Sequence, residues 1–442
     1  MSYIQGEGRH QGTLFPVLLD DLAPGDHVCR VVDAFVNALK MAPLGFERAE
    51  AADTGRPGYD PRDLLKLYLY GYLNQIRSSR RLEAECHRNV ELMWLLGRLC
   101  PDHKSIAEFR RVHREAISAA GAELIRFARN CGLIRGEWIA IDGSKFRAVA
   151  SIDSTRERLA LQRYLDSIEK ADEEQRESID PSAVQAALEK LKQHPEPDAN
   201  FMLVRQMALP AYNVQTAVDA EHAIIVAHSV TLDASDIRCL KPMAEAAKEA
   251  LGVETLQVVA DAGYSNGEQI AQCEEAGITP FVPVMRTVNN QGDGKLFGRT
   301  DFKYDAETDS YTCPGEKKLL RKHTNLKDRY TMYKASSADC GACPLKSSCT
   351  LASRRGLARH LYEDALNRME ERVTPEAMRI RRQTVEHPFA TIKYRIFGHP
   401  RLLVRGLTGA RSEIAIATMA YNLKRITKVL GAATLAAQLQ IC

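Results

Sequence analysis

The chain has 442 residues, 45% hydrophobic and 26% charged, with a formal net charge of +3. That length can fill two or three domains with at least one large core. No run of about 18 apolar residues occurs, and the start MSYIQGEGRHQGTLFP lacks the basic and apolar regions of a secretion signal, so the expectation is a soluble cytoplasmic protein. In a reducing compartment its eleven cysteines would be thiols or metal ligands, and Cys29, Cys86, Cys100, Cys131, Cys239, Cys273 and Cys442 read as scattered apolar fillers.

Residues 1 to about 20 show no periodicity and read as an arm or loop. From Leu22 to about Gly132 the pattern is helical. In DPRDLLKLYLYGYLNQ, Asp60 is the expected N-cap and Pro61 the first helical residue, with Leu64, Leu65, Tyr68, Leu69 and Tyr72 on one face. Two or three more helices follow, and Gly132 ends the last. Arg77, Arg80, Arg81, Arg88, Arg110, Arg111 and Arg114 read as exposed bases that either track a DNA backbone or keep the helices soluble.

At Glu137 the pattern changes. WIAIDGSKF reads as a short apolar strand ending on Asp142, with Gly143 turning the backbone. Residues 151–200 carry twelve acids against seven bases and the breaker HPEPD, and read as an exposed helical hairpin or linker without catalytic residues. PAYNVQTAVDA and AIIVAHSVTLD form an expected hairpin through Glu221 and His222. A helix in DIRCLKPMAEAAKEALG, a strand ending at Asp261, a helix in NGEQIAQCEEAG and an edge strand in TPFVPV complete a mixed α/β sheet. Asp219, in AVDAEH, reads as a turn residue and Asp236 as an N-cap.

From about Arg286 to Thr374 that order lapses. FKYDAETDSYTCPG reads as a small hairpin, and Cys313, Cys340, Cys343 and Cys349 follow the pattern C-x26-C-x2-C-x5-C. Gly341 and Pro344 suit the tight turns of a structural zinc site with four thiolate ligands, against the alternative of four ordinary thiols or a redox pair. SEIAIATMAYNLKRITKVLG then reads as an amphipathic helix.

Between Arg379 and Lys428 eleven bases face two acids, Glu386 and Glu413, a footprint that fits a polyanion or a solvated basic face. Within RIRRQTVEHPFATIK, residues Arg382, Glu386 and Lys393 share one face on a 3.6-residue period. An ordinary salt-bridged helix would read the same way, and Pro388 either kinks the helix or starts a new one. Asp142 and Asp261 each follow an apolar run and precede small residues, at the end of a strand where ligands gather in open α/β sheets. Either could instead cap a following helix. Oxygen ligands without a histidine trio favour Mg²⁺ or Mn²⁺. His387, His399, Ser144 and Lys145 lie close enough in sequence to approach a phosphate.

Asp142 in IAIDGSK, Asp261 in VVADAGYS and Glu386 in RRQTVEHPFATIK resemble the DDE motif of bacterial insertion-sequence transposases, over most of the chain. The resemblance implies an α/β, RNase H-like core in which Asp142, Asp261 and Glu386 hold the divalent ions. It implies that Arg382 and Lys393 bind phosphate or the element end. The family often carries Tyr where this chain has Arg379, a departure that leaves the acids intact and touches one DNA contact. DNA ends, target DNA and at least a homodimer during reaction are the implied partners. The expected layout is a helical DNA-binding domain over 1–135, a first core segment over 136–285, a cysteine-bearing insert over 286–374 and a last core segment over 375–442. A nuclease of the same fold that cuts without joining, or a DNA-binding regulator derived from such an enzyme, are the alternatives.

Overall fold

The computed structural model describes residues 18–50, 58–170, 180–194, 196–284, 296–327 and 329–441. The residues before Leu18, most of EKADEEQRESI, the start of the cysteine-bearing segment at 286–295 and Cys442 lie outside them. The chain divides into two units, one of residues 1–234, 246–254 and 380–442, the other of residues 235–245 and 255–379.

In the first unit, helices α1 (Val28–Ala38), α2 (Pro61–Leu73), α3 (Ser79–Cys86), α4 (Val90–Leu95), α5 (His103–Val112) and α6 (Arg114–Asn130) follow one another. Asp60 caps α2 by accepting from the Arg62 amide, with Pro61 at the first position, as its residue types dictate. The apolar face expected on α2 is buried, but so are Lys66, Leu67, Tyr70 and Gly71. The helix is enclosed because α1, α4, α5 and the long helix near the chain's end all pack on it. Asn89 and Asp102 cap α4 and α5, which splits the segment more finely than its periodicity suggests.

Two of the bases expected at the surface are not free there. Arg77 is 8% exposed and its guanidinium donates to the fully buried Glu413 carboxylate at 2.6 Å and to the carbonyls of Phe397 and Arg401. Arg110 lies over the Tyr68 ring and donates to the Tyr72 hydroxyl. Arg80, Arg81, Arg88 and Arg111 remain exposed.

Strand β1 (Trp138–Arg147) does not end on Asp142. It continues five residues beyond, because the 13-residue β3 (Met207–Asp219) offers antiparallel partners from Ile139↔Asp219 to Arg147↔Ala211. Hydrogen bonds along so long a partner outweigh the turn preference of Gly143. The other edge of β3 carries β2 (Asn200–Val204) and then β4 (Ile225–Thr231). The β3–β4 hairpin turns at Glu221 and His222 as expected, whereas β2 had no clear signal. Between β1 and β2 come α7 (Ile152–Glu169) and α8 (Pro181–Lys192), which pack on one another.

Helix α9 (Leu240–Leu251) starts four residues later than its pattern suggests, so Asp236 is not its N-cap. Pro242, which has no amide to donate, belongs in a first turn, and the Gln269 side chain accepts from the Lys241 amide there. In the second unit β5 (Leu256–Val259) and β6 (Ile278–Phe281) pair in parallel around α10 (Gly267–Glu275). A five-stranded antiparallel sheet, β7 (Lys303–Asp305), β8 (Ser310–Thr312), β9 (Lys318–Asn325), β10 (Tyr330–Lys334) and β11 (Gly356–His360), carries the cysteines with short helices α11 (Ser337–Gly341) and α12 (Lys346–Cys349). The element content is mixed α/β.

After α13 (Glu363–Arg372), helix α14 (Pro375–Ala390) runs through Pro388 and widens into a π-helical turn at Thr391–Ile396. The missing Pro388 amide removes one hydrogen bond, and the wider turn begins three residues on. Helix α15 (Gly406–Leu430) and α16 (Ala432–Ile441) end the chain. The Asn422 amide bonds both the N–H and C=O of Ile225, so a side chain pairs with β4.

Candidate active site

Alternation along β1 puts Asp142, Ser144 and Phe146 on one face and Gly143 and Lys145 on the other. Directly opposed residues share a face, so Asp142, Thr216 and His228 form one row across β1, β3 and β4. Burial pushes the His228 imidazole down to about 4, which keeps it neutral near pH 7. Lys145 stands opposite Asn213 on the far face, and Ser144 stands on the face of Asp142.

The C-terminal part of α14 lies along this face. Arg381 donates to Asp142 Oδ1 at 3.3 Å, and the rings of Phe389 and Phe146 are 6.2 Å apart. Eight helical residues and four strand residues each span about 12–13 Å, so helix and strand run side by side over this stretch. Glu386 sits between these two anchors and is exposed. Past Pro388, Lys393 reaches back over the Phe146 ring, with Nζ 5.1 Å from its centroid, and donates to Ser144 Oγ. Its direction follows from the tilt of helical side chains toward the N-terminus.

Burial and the Arg205 and Lys145 charges hold the Lys393 amine below its usual range, while Asp142 opposes them. Arg205 sits in the two-residue β2–β3 turn with Gln206, both at positive φ (49° and 67°), and its guanidinium donates to the Tyr394 hydroxyl. Two non-glycine residues in that region are strained. Their strain places a cation beside the π turn.

Two family models match the chain: the Transposase domain (DUF772) over residues 17–112 and the Transposase DDE domain over residues 205–423. Together they span well over half of it. The chain belongs to the insertion-sequence DDE transposases. Comparison with curated proteins gives no match. Asp261 and Glu386 fall inside the second matched region, and Asp142 precedes it. Enzymes of this family act on DNA and generally depend on divalent metal.

In the transposase's second unit, Asp261 follows β5 by two residues and caps a 3₁₀ turn at Ala262–Tyr264, accepting from the Gly263 amide at 2.8 Å. A Cβ at Gly263 would stand 2.9 Å from that carboxylate oxygen, so a larger residue there would have to push the Asp261 carboxylate aside. The capping role weighed for Asp261 is therefore present, and a carboxylate that caps with one oxygen can ligate with the other. Asp219, by contrast, is buried and accepts from the Gly136 and Glu221 amides. Burial raises its pKa, and it holds a turn.

Among the described residues no three His, Cys, Asp or Glu side chains are already arranged to hold a metal. The donors at Asp142 and Glu386 are all oxygen and suit a hard divalent ion. At 21% exposure Asp142 is accessible, and an ion bound there would share it with Arg381 or displace that guanidinium. Arg379 is exposed and pairs with Glu376 at 3.5 Å, and Arg382 is exposed. His103 pairs with Glu83, and His113 packs on Phe109, which are structural roles.

A groove of about 520 Å³ opens on the first unit. Arg395, Lys424, Arg425 and Lys428 line it with His387, and no carboxylate does. Burial, Arg425 and Lys428 all disfavour protonation of His387. The four cations favour an anion. No helix among the described residues is long and apolar enough to cross a membrane.

Proposed function

We propose that the transposase cuts DNA at the ends of its mobile element and transfers the freed strand to target DNA, with Asp142, Asp261 and Glu386 as the metal-holding carboxylates of an RNase H-like core. The observation that carries this reading is the seam between β1 and α14. There an acid suited to a hard cation, Asp142, lies beside two cations suited to phosphate, Arg381 and Lys393, with Glu386 on the same helix. The antiparallel β1–β3–β4 set of the first unit and, taken by itself, the parallel β5–β6 pair of the second are strand arrangements of the kind an RNase H-like core contains.

Bound Mg²⁺ or Mn²⁺ would supply an activated water or hydroxyl nucleophile and charge stabilisation on the leaving oxygen. Lys393, held by Ser144 and the Phe146 ring, is positioned to neutralise a phosphate oxygen. Arg381 can turn from Asp142 to the same phosphate. Water adds at phosphorus and the 3′ oxygen leaves with a proton. That 3′ hydroxyl then adds to a target phosphodiester, breaking one P–O bond as it forms another.

The groove of Arg395, Lys424, Arg425 and Lys428, with exposed Arg379 and Arg382, would track the DNA backbone, and Lys145 would meet it from the other face of β1. Residues 1–135, with Arg80, Arg81, Arg88 and Arg111 exposed, would bind element ends. The core would take 136–285 and 375–442, and the cysteine-bearing insert 286–374. Joining two ends implies at least a homodimer in reaction, acting in the cytoplasm.

The test is a cleavage and strand-transfer assay on DNA carrying the element's ends, with Mg²⁺. Asp142→Asn, Asp261→Asn and Glu386→Gln should each abolish both products while end binding persists. Cutting that survives in all three variants removes the proposed site, and cutting without joined products reassigns the enzyme as a nuclease.

A further inference from the structure

In the second unit, Cys313, Cys340, Cys343 and Cys349 all line one small cavity of about 30 Å³, closed on its other sides by Leu319, Ala335 and Arg355 among others. All four are free thiols. They come from two separate loops. Cys313 opens a tight turn after β8 in which its N–H donates to the Lys317 carbonyl and its sulfur accepts from the Lys317 amide at 3.3 Å. The other loop, between β10 and β11, supplies Cys340 and Cys343 from one turn, closed by the Cys343 amide on the Cys340 carbonyl, and Cys349 from α12. A Cβ on Gly315 would lie 3.5 Å from the Cys343 sulfur and 3.7 Å from the Cys313 sulfur, so the two loops meet at that point.

The subdomain has little else to hold it. Five strands enclose a core of six buried residues, Phe302, Tyr311, Leu319, Tyr333, Ala335 and Leu357, and three of the cysteines pack against it. So small a core falls short of what an independent fold of this length requires, and chains in that position use a disulfide or a metal as a staple. One thiol on the turn after β8, its sulfur already accepting a backbone N–H, and three from the β10–β11 loop are the donor set of a closed tetrahedral Zn²⁺ site.

We propose that these four cysteines bind one structural Zn²⁺, which closes the two loops on each other and stabilises the five-stranded sheet. Binding draws the thiols inward by rotation about their Cα–Cβ bonds into a space that is already there, and it releases their protons. The proposal is independent of the DNA chemistry, because it concerns a site built from the second unit alone.

The experiment is metal analysis of the full-length protein purified without added chelator, with stepwise mercurial titration of its thiols and a zinc-sensitive dye as readout. We expect close to one zinc per chain, released as four thiols react. Cys313→Ser, Cys340→Ser, Cys343→Ser and Cys349→Ser should each lose at least tenfold in retained zinc, while Cys273→Ser retains it. Because a serine variant can misfold, the wild-type titration stands as the second measurement. Co²⁺ exchange should give the intense absorption of four thiolates. Wild-type protein that carries no zinc and takes up no Co²⁺ overturns the proposal. So does zinc that survives in the Cys343→Ser and Cys349→Ser variants, or a disulfide between any two of the four.

Discussion

Arg381, Arg382, Glu386 and Lys393 stand within fifteen residues of one another, yet their places were only half legible in the chain. Their charges could be read directly. Which base faces Asp142 could not, because the face shared by Arg382, Glu386 and Lys393 does not say which side of the helix meets β1, and the packed helix turns Arg381 there. The π turn after Pro388 then changes the angular step before Lys393. Lys393 gives a prediction with a defined sign. Its amine is held below the usual lysine range, so the fold disfavours the charged form. That penalty is fully present at pH below the lowered pKa and is relieved as pH rises through it. A phosphate at Lys393 favours the charged form, so DNA binding should take up a proton and weaken as pH rises through the lowered pKa. Lys393→Gln should weaken end binding about 3- to 30-fold, reduce the salt slope by about one and flatten this pH dependence. Binding measured by anisotropy at several pH values checks it. Equal pH profiles for variant and parent would show that Lys393 does not meet phosphate.

Two elements reversed their apparent roles. The strand through Asp142 seemed to stop there, since Gly143 follows, but its length was set by β3, a partner more than sixty residues away in the chain. HPEPD, a breaker by composition, supplies the cap of α15. Glu196 accepts from the Gly406 amide and from the Tyr212 hydroxyl, and Asp198 accepts from the Leu407 amide. These carboxylates satisfy the open end of a helix that begins over two hundred residues later, where Arg405 provides no side-chain cap. Glu196 is 1% exposed, so Glu196→Ala strands a buried hydroxyl and an amide and should cost about 2–4 kcal/mol. Asp198→Ala should cost about 1 kcal/mol. Urea denaturation ranks the two. Equal, near-zero losses would mean that HPEPD is only a connection.

Across the whole first unit the decisive contact joins Arg77 to Glu413, 336 residues apart. Both were read as members of the charged surface, one an exposed base and the other a rare acid in a basic region. Buried together, they tie the α2–α3 corner to α15, with Glu413 also accepting from the Leu403 and Val404 amides. Arg77→Met should therefore cost about 3–5 kcal/mol by leaving the carboxylate buried and unpaired, and Arg77→Met with Glu413→Met should cost less than the two single losses together. A thermal or urea double-mutant cycle measures this, and additive losses would place the pair outside a coupled network. The residue order by itself determined the helical first part, the β3–β4 hairpin, the basic run near the end, the paired cysteines and the acids from which the family resemblance was drawn. Those depend on local periodicity, turn chemistry and residue type. Only the tertiary structure decided which charges are buried, where β1 ends, what caps α15 and which base lies against Asp142, because each depends on partners remote in sequence whose hydrogen bonds and burial outweigh local preference.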